Sequence, residues 1–294
     1  MPVTFWDAFQ DLKTKLGKNY EPSEAEIIAR WTVEELSGFS KTEFVTNRFT
    51  SLDPVQKRQL EVYEQELLAN RPVQYVLGIS YFYGLKLAVD ESVLIPRPET
   101  EELVAWCLKT AKSSFNKNNT IRILDIGTGS GCIALALKSN LPEAEVYAVD
   151  LSEKALATAA ENASRASLSV HFEKLDILKE KEGDTLPQFD IIISNPPYIT
   201  VEEKSSIAAP VLDYEPHEAL FISNGDPLQF YKKIAAFAAS HLNSGGRLFL
   251  ELHAQFSEIT CAFYKEKGWS TFLKQDMQGR ERMLMACTAA DCKM

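Results

Sequence analysis

Positive charge is scarce in this chain: 31 Lys and Arg face 41 Asp and Glu, giving a formal net charge of −10 over 294 residues. That balance argues against a protein whose main business is wrapping nucleic acid, because phosphate binding draws on clustered cations; a local basic surface stays compatible with it. The opening MPVTFWDAFQDLK has no cationic segment followed by an apolar run and a cleavage site. No later apolar stretch reaches the ~20 residues needed to span a bilayer, so the expectation is a soluble, cytoplasmic protein without a membrane partner. Histidine and cysteine are few and dispersed: His171, His217, His241 and His253, and Cys107, Cys132, Cys261, Cys287 and Cys292. They form no close ligand pair, so no metal site is expected, and the odd cysteine count suits a reducing compartment. Repeats and low-complexity segments are also missing.

What is present is ample apolar material, 45% hydrophobic against 24% charged residues, enough for one large domain or two smaller ones. From Phe5 to about Asn70 the pattern is helical. Phe5, Phe9 and Leu12 share a face, as do Ile27, Trp31 and Leu36. Asp53-Pro54 reads as a cap and a tolerated first-turn proline ahead of Leu60, Tyr63 and Leu67 at helical spacing. No single short amphipathic helix buries its own face, so these stripes imply a small bundle. Its role is either core support or substrate recognition.

Between Arg71 and Arg97 the text turns aromatic and β-branched. Gly78 and Gly84 suit turns, and Tyr81–Val89 with Val93–Ile95 suit a short hairpin or two extended pieces. PETEELVAWCLKTA starts a helix with proline and acidic residues, and SSFNKNNT reads as a solvent loop. From Ile121 onward IRILDI, EVYAVD, SVHFE, FDIIIS and GRLFLEL read as strands alternating with helices such as CIALALKS and SEKALATAAENA. This alternation predicts an open, mostly parallel α/β sheet, with TFLKQDM and RMLMACTA as an antiparallel edge pair.

Chemistry concentrates in three places. ILDIGTGSG puts Asp125 at the end of a strand and Gly127, Thr128, Gly129 and Gly131 in a tight strand-to-helix turn, where glycine permits close backbone approach to a ligand. VYAVD ends the next strand on Asp150, an acid suited to accepting both ribose hydroxyl hydrogen bonds of an adenosyl cofactor. It does not distinguish a methyl donor from a nicotinamide. In KLDIL, Asp176 and Ile177 are placed to meet the edge and face of an adenine. SNPPYI then separates the readings. Two prolines stiffen the backbone, Asn195 carries both an amide donor and an oxygen acceptor, and Tyr198 offers a flat face, a set able to hold a planar NH2-bearing substrate in register.

With RPVQYVLG, FYGLKLAVDESVLIPRPETEELV, ILDIGTGSG, YAVD, SNPPYI and YEPHEAL together, the chain resembles, over nearly its whole length, the peptide-chain release-factor glutamine methyltransferases, the PrmC or HemK family. The resemblance implies an N-terminal helical bundle (1–72) that recognises the substrate, a hairpin linker (73–97) and a class I methyltransferase domain (98–294) with a seven-stranded sheet. It also implies S-adenosyl-L-methionine as cofactor, release factors as partners, and methylation of N5 of the glutamine in their Gly-Gly-Gln loop. Cofactor contacts fall on Asp125, Gly127, Thr128, Gly129, Gly131, Asp150, Asp176, Ile177 and Asn195. Substrate contacts fall on Asn195, Pro196, Pro197 and Tyr198, with Asn195 and Pro196 as the catalytic acceptors. Arg97 and Glu101 of PRPETE read either as part of the meeting point of the cofactor and substrate loops or as a salt-bridge pair, and His217 reads as a packing or surface residue. In LFLELHAQ, His253 stands where the family has glycine and Gln255 comes early, so the loop after the fifth strand departs from the pattern. The alternatives are a DNA or RNA adenine amino methyltransferase, which must expose its base, and a noncatalytic cofactor-binding interaction protein. A nicotinamide oxidoreductase fits the glycine turn but not SNPPYI.

Overall fold

The computed structural model describes residues 2–114, 120–179, 185–222 and 225–288. The chain divides into two compact units, Met1–Ile79 with Ala208–Tyr214, and Ser80–Ile207 with Glu215–Met294. The central part of the solvent loop expected at SSFNKNNT, 115–119, lies outside the described residues.

The first unit is helical: α1 (Phe5–Leu16), α2 (Pro22–Ser37), α3 (Lys41–Asn47), α4 (Pro54–Leu68) and α5 (Val73–Leu77), joined by α9 (Ala209–Tyr214) from far along the chain. Its starts are specified locally. Thr4, Ser40 and Asp53 each close a capping box, satisfying amides that the first turn leaves without partners. Phe5, Phe9 and Leu12 are buried on one face of α1, and Leu67 of α4 is buried against the same cluster with Leu60 and Tyr63 at its rim. The face expected for α2 is corrected. Ala25, Ile28, Ala29, Thr32 and Val33 form the buried stripe, while Ile27 is 64% exposed. The small Ala25 and Ala29 let α1 approach closely, and the stripe is therefore rotated by one residue from the one that the bulkiest side chains suggest. The Tyr214 hydroxyl donates to the Ala69 carbonyl (3.3 Å), tying α9 to the end of α4.

The segment expected as a hairpin linker begins instead with α5, which ends on left-handed Gly78. The hairpin follows as β1 (Ile79–Phe82) and β2 (Leu85–Ala88), turned by Tyr83 (φ 48°) and Gly84 (φ 82°), both in the positive-φ region that a two-residue turn between twisted strands demands. Val93–Ile95 forms no strand.

The second unit continues with α6 (Pro98–Ser114), β3 (Arg122–Ile126), α7 (Cys132–Asn140), β4 (Glu145–Asp150), α8 (Glu153–Ala166), β5 (His171–Lys174), β6 (Phe189–Ser194), α10 (His217–Leu220), α11 (Gln229–His241), β7 (Leu242–Glu251), α12 (Ser257–Glu266), β8 (Trp269–Gln275) and β9 (Glu281–Thr288). Seven strands form one sheet in the order β5-β4-β3-β6-β7-β9-β8. Pairing is parallel from β5 to β7 and antiparallel through β9 and β8. The central strands carry near-continuous apolar runs because helices cover both faces, as the two core clusters on either side record. β3 lies between β4 and β6, with Ile126 level with Val149 on one side and Ser194 on the other. Three strands thus deliver their carboxyl ends side by side, the place where open α/β sheets bind ligands.

Candidate active site

Beyond those strand ends lies a cavity of about 540 Å3, lined by Gly127 and Gly129 after β3, Asp150 at the end of β4, Asp176 and Ile177 after β5, and Asn195 after β6. Pro196 and Pro197 continue the wall, and Asp90–Leu94, the stretch after the hairpin, closes another side. The glycine loop is held from behind. The amides of Gly127 and Thr128 donate to the Val149 carbonyl (2.9 and 3.1 Å), and the Gly131 amide donates to the Thr128 carbonyl (2.8 Å).

The three glycines do different work. Gly127 (φ 74°) and Gly129 (φ 54°) would direct a Cβ into open space, on a wall that must admit a ligand close to its backbone. Gly131 (φ 82°) faces the interior, where a Cβ would lie 3.1 Å from that of Ala159 on α8. Gly131 is thus a packing residue off the cavity wall, as are Asp125 and Thr128, both buried behind it.

Asp125 Oδ2 accepts from the Thr128 hydroxyl (2.6 Å) and the Ala134 amide (3.2 Å), bracing the loop against α7, while Oδ1 is buried without a hydrogen-bond partner. Burial pushes its carboxyl up to about 7, against the pull of those two donors. Asp150 Oδ2 accepts from the Gly129 amide and Oδ1 from the Ser152 amide, each at 2.9 Å. Burial raises its pKa and the backbone donors oppose the rise. Each oxygen keeps lone-pair capacity for a further donor on the cavity side. Asp176 makes a local turn with the Leu178 amide (3.0 Å), and Ile177 packs against the core beneath.

The NPPY turn is anchored inward. The Ser194 hydroxyl donates to the Ile126 carbonyl (2.7 Å), and Asn195 Nδ2 donates to the Thr100 hydroxyl (3.1 Å). Thr100 in turn donates to Glu251 Oε2 (2.6 Å), and Glu251 Oε1 accepts from the Tyr198 hydroxyl (3.2 Å). Glu251 is fully buried, and burial raises its pKa, opposed first by the Thr100 hydroxyl and then by the charge of Arg282. Tyr198 lies off the cavity wall, half-buried, its hydroxyl pushed up by burial beside Glu251 and its ring edge-on to His253 at 5.7 Å. His253 Nε2 lies 2.9 Å from Glu203 Oε1, so the departure from the family pattern adds a contact to the segment after NPPY.

The Arg97–Glu101 pairing is corrected. Arg97 bonds Glu215 Oε1 at 2.5 Å, and Glu101 accepts from the Tyr83 amide at 2.7 Å. Glu215 is almost fully buried and also accepts from the Ile95 amide (3.3 Å), so it fastens the YEPHEAL loop to the start of PRPETE. His217 is exposed, edge-on to Phe221 at 5.4 Å. Two positioning elements escaped the sequence reading. Asn162 of α8 accepts from the Ala88 amide (2.6 Å) and donates to the carbonyls of Ala88 and Ser130 (each 2.9 Å), clasping β2 to the glycine loop with every amide atom engaged. The other is the Thr100–Glu251 pair; its only signal was a carboxylate ending the apolar run Leu248–Leu250.

The open backbone at Gly127 and Gly129, an acid with spare acceptor capacity at a strand end and an apolar Ile177 together fit an adenosyl group with an attached amino acid. Among the described residues no cluster of three His, Cys, Asp or Glu side chains suits a metal, and no helix is long and apolar enough to cross a membrane.

Residues 7–78 match the family model described as the PrmC N-terminal domain, and residues 109–214 match the methyltransferase small domain. The chain is 41% identical to the release factor glutamine methyltransferase of Flavobacterium psychrophilum, covering 92% of this chain and 94% of that one. It is 38% identical to the protein of that name from Streptococcus pneumoniae, over 96% and 98%. A solved methyltransferase from Pyrococcus furiosus shares the fold, with a TM-score of 0.51 at 21% identity, covering 78% of this chain and 96% of that one. By identity at this level along almost its whole length, the chain belongs to the release factor glutamine methyltransferase family.

Proposed function

We propose that this enzyme transfers the methyl group of S-adenosylmethionine to N5 of the glutamine in the Gly-Gly-Gln loop of peptide-chain release factors, acting in the cytoplasm. The observation that carries the reading is that Asn195, Pro196 and Pro197 lie on the wall of the same cavity as the glycine loop and Asp150. Methyl acceptor and methyl donor sites are thereby contiguous.

When bound, S-adenosylmethionine supplies a methyl group on a sulfonium centre. An amide nitrogen is a poor nucleophile, its lone pair delocalised into the carbonyl, so the chain's own task is positioning. Asp150 would hold the ribose hydroxyls, Asp176 and Ile177 the adenine, and the backbone of Gly127 and Gly129 the remainder of the cofactor. Asn195 Oδ1 and the Pro196 carbonyl accept the two N–H groups of the glutamine amide, while Tyr198, off the cavity wall, anchors the same turn through Glu251. Both acceptors strengthen as positive charge develops on the nitrogen, so they favour the transition state over the ground state.

The test is to incubate the purified chain with labelled methyl donor and either release factor or nucleic acid, then locate the methyl group by mass spectrometry. The expected product is a release factor heavier by one methyl on the Gly-Gly-Gln glutamine. Label confined to nucleic acid would replace this reading with an adenine amino methyltransferase.

Recognition of the protein substrate is assigned to the helical unit. Val45 in α3 and Phe49 just beyond it are 58% and 63% exposed, large apolar side chains that solvent does not favour. A Val45→Asp/Phe49→Asp double variant should raise KM for the release factor by about tenfold, the cost of losing roughly one buried apolar side chain at an interface. Its kcat and methyl-donor affinity should be preserved. An unchanged KM would remove this face from the recognition surface.

A further inference from the structure

Asn195 has a primary amide whose two ends differ only in what they offer, a donor or an acceptor, and the backbone alone does not decide which end meets the cavity. A neighbouring hydrogen-bond chain does. Glu251, when ionised, can only accept. It accepts from Tyr198 at one oxygen and from Thr100 at the other, at 3.2 and 2.6 Å. Thr100 has a single proton, and that proton is committed to Glu251, so its oxygen is left as an acceptor. The Asn195 atom 3.1 Å from Thr100 must therefore be the NH2, and Oδ1 is the end left for the cavity.

We propose that Glu251, acting through Thr100, is a positioning residue that fixes Asn195 with its oxygen toward the methyl acceptor. This rests on the reading of Asn195 as the acceptor of a substrate N–H. The relay gives a use to the carboxylate that ends the buried stretch Gly246–Glu251 of β7, directly after the apolar run Leu248–Leu250. Desolvation opposes this buried carboxylate, and the Thr100 hydroxyl, the charge of Arg282 and the Tyr198 hydroxyl offset it.

Glu251→Gln isolates the effect. The donor-only guanidinium of Arg282 lies beside Tyr198 and residue 251, so the glutamine turns its oxygen to that side, still accepting from Tyr198, and its NH2 donates to Thr100. Thr100 then turns its proton to Asn195, and the amide flips to show N–H groups to the substrate's own. Single-turnover methylation of release factor by the full chain should slow about 10²-fold, the scale of one lost preorganised contact. Methyl-donor affinity by calorimetry should stay within about twofold of wild type, because the contacts of Asp150, Asp176, Ile177 and the glycine loop are untouched.

A double-mutant cycle separates orientation from general loosening. If Glu251 works through Asn195, then Asn195→Ala/Glu251→Gln is no slower than Asn195→Ala alone; if the losses multiply, the relay is wrong. Should Glu251→Gln fail to fold, Thr100→Val enters the same cycle, and Thr100→Ser, which keeps the hydroxyl, should recover most of the rate. A wild-type-like rate in a folded Glu251→Gln or Thr100→Val variant overturns the proposal. A wild-type chain that leaves release factor unlabelled counts instead against the substrate reading, and the two failures are distinct.

Discussion

Asn195→Ala is expected to slow single-turnover methyl transfer by about 10²–10³-fold, the loss associated with removing one preorganised electrostatic contact. The backbone on either side is held independently, by Ser194 to the Ile126 carbonyl and by two prolines, so the turn should survive the truncation. Thr100 keeps its bond to Glu251 and loses only the amide it received. Methyl-donor binding should therefore persist, and the defect should appear in the chemical step. Asn195→Asp gives the sharper comparison. It keeps oxygen acceptors but has no N–H for Thr100, and it brings a second carboxylate toward Glu251; impairment is expected despite the attraction of a negative charge for a sulfonium. Single-turnover rates paired with separate cofactor titrations isolate the step, and wild-type turnover in folded Asn195→Ala would remove this residue from the amide grip.

Asp150→Ala should weaken S-adenosylmethionine by about 2–4 kcal/mol, treated as the loss of two charge-assisted hydrogen bonds. That is roughly a 30- to 1000-fold rise in Kd. Asp150 also receives the Gly129 and Ser152 amides, so part of the loss will come from slackening of the glycine loop. Asp150→Asn apportions the two, since an amide oxygen still accepts one backbone N–H while its NH2 end does not. Calorimetry on folded variants decides, and an unchanged Kd for Asp150→Ala would free the residue from the ribose.

Local signals carried the fold a long way. Capping boxes at Thr4, Ser40 and Asp53, the strand-to-helix glycine turn and the apolar runs of β3, β4, β6 and β7 are written over a few residues each and need no knowledge of the rest of the chain. What escaped depends on partners distant in sequence. The α2 face turned on which side of the helix accepted α1, a matter of small residues rather than large ones. Arg97 chose Glu215, 118 positions away, over Glu101 nearby, because Glu215 is held beside it by the Ile95 amide while Glu101 is taken by the Tyr83 amide. Thr100 and Glu251 are 151 positions apart and meet only once β7 lies beside β6. Buried polar pairing of this kind is set by topology, and no spacing rule along the sequence reports it.

The sheet order also bears on how the molecule is assembled. Among the described residues β8 joins the sheet through β9, which lies between it and β7 although it follows β8 in the chain. While only β8 exists it has no strand to pair with, and the edge of β7 stands open, a template for association with other chains. The short turn at Asp276–Arg280 resolves this by letting β8 and β9 zip as a local hairpin, a contact of low sequence separation, and then dock as a pair. Synthesis order and pairing order are thus inverted at this edge. An interruption between the two strands leaves two unsatisfied segments rather than one, the β7 edge and β8.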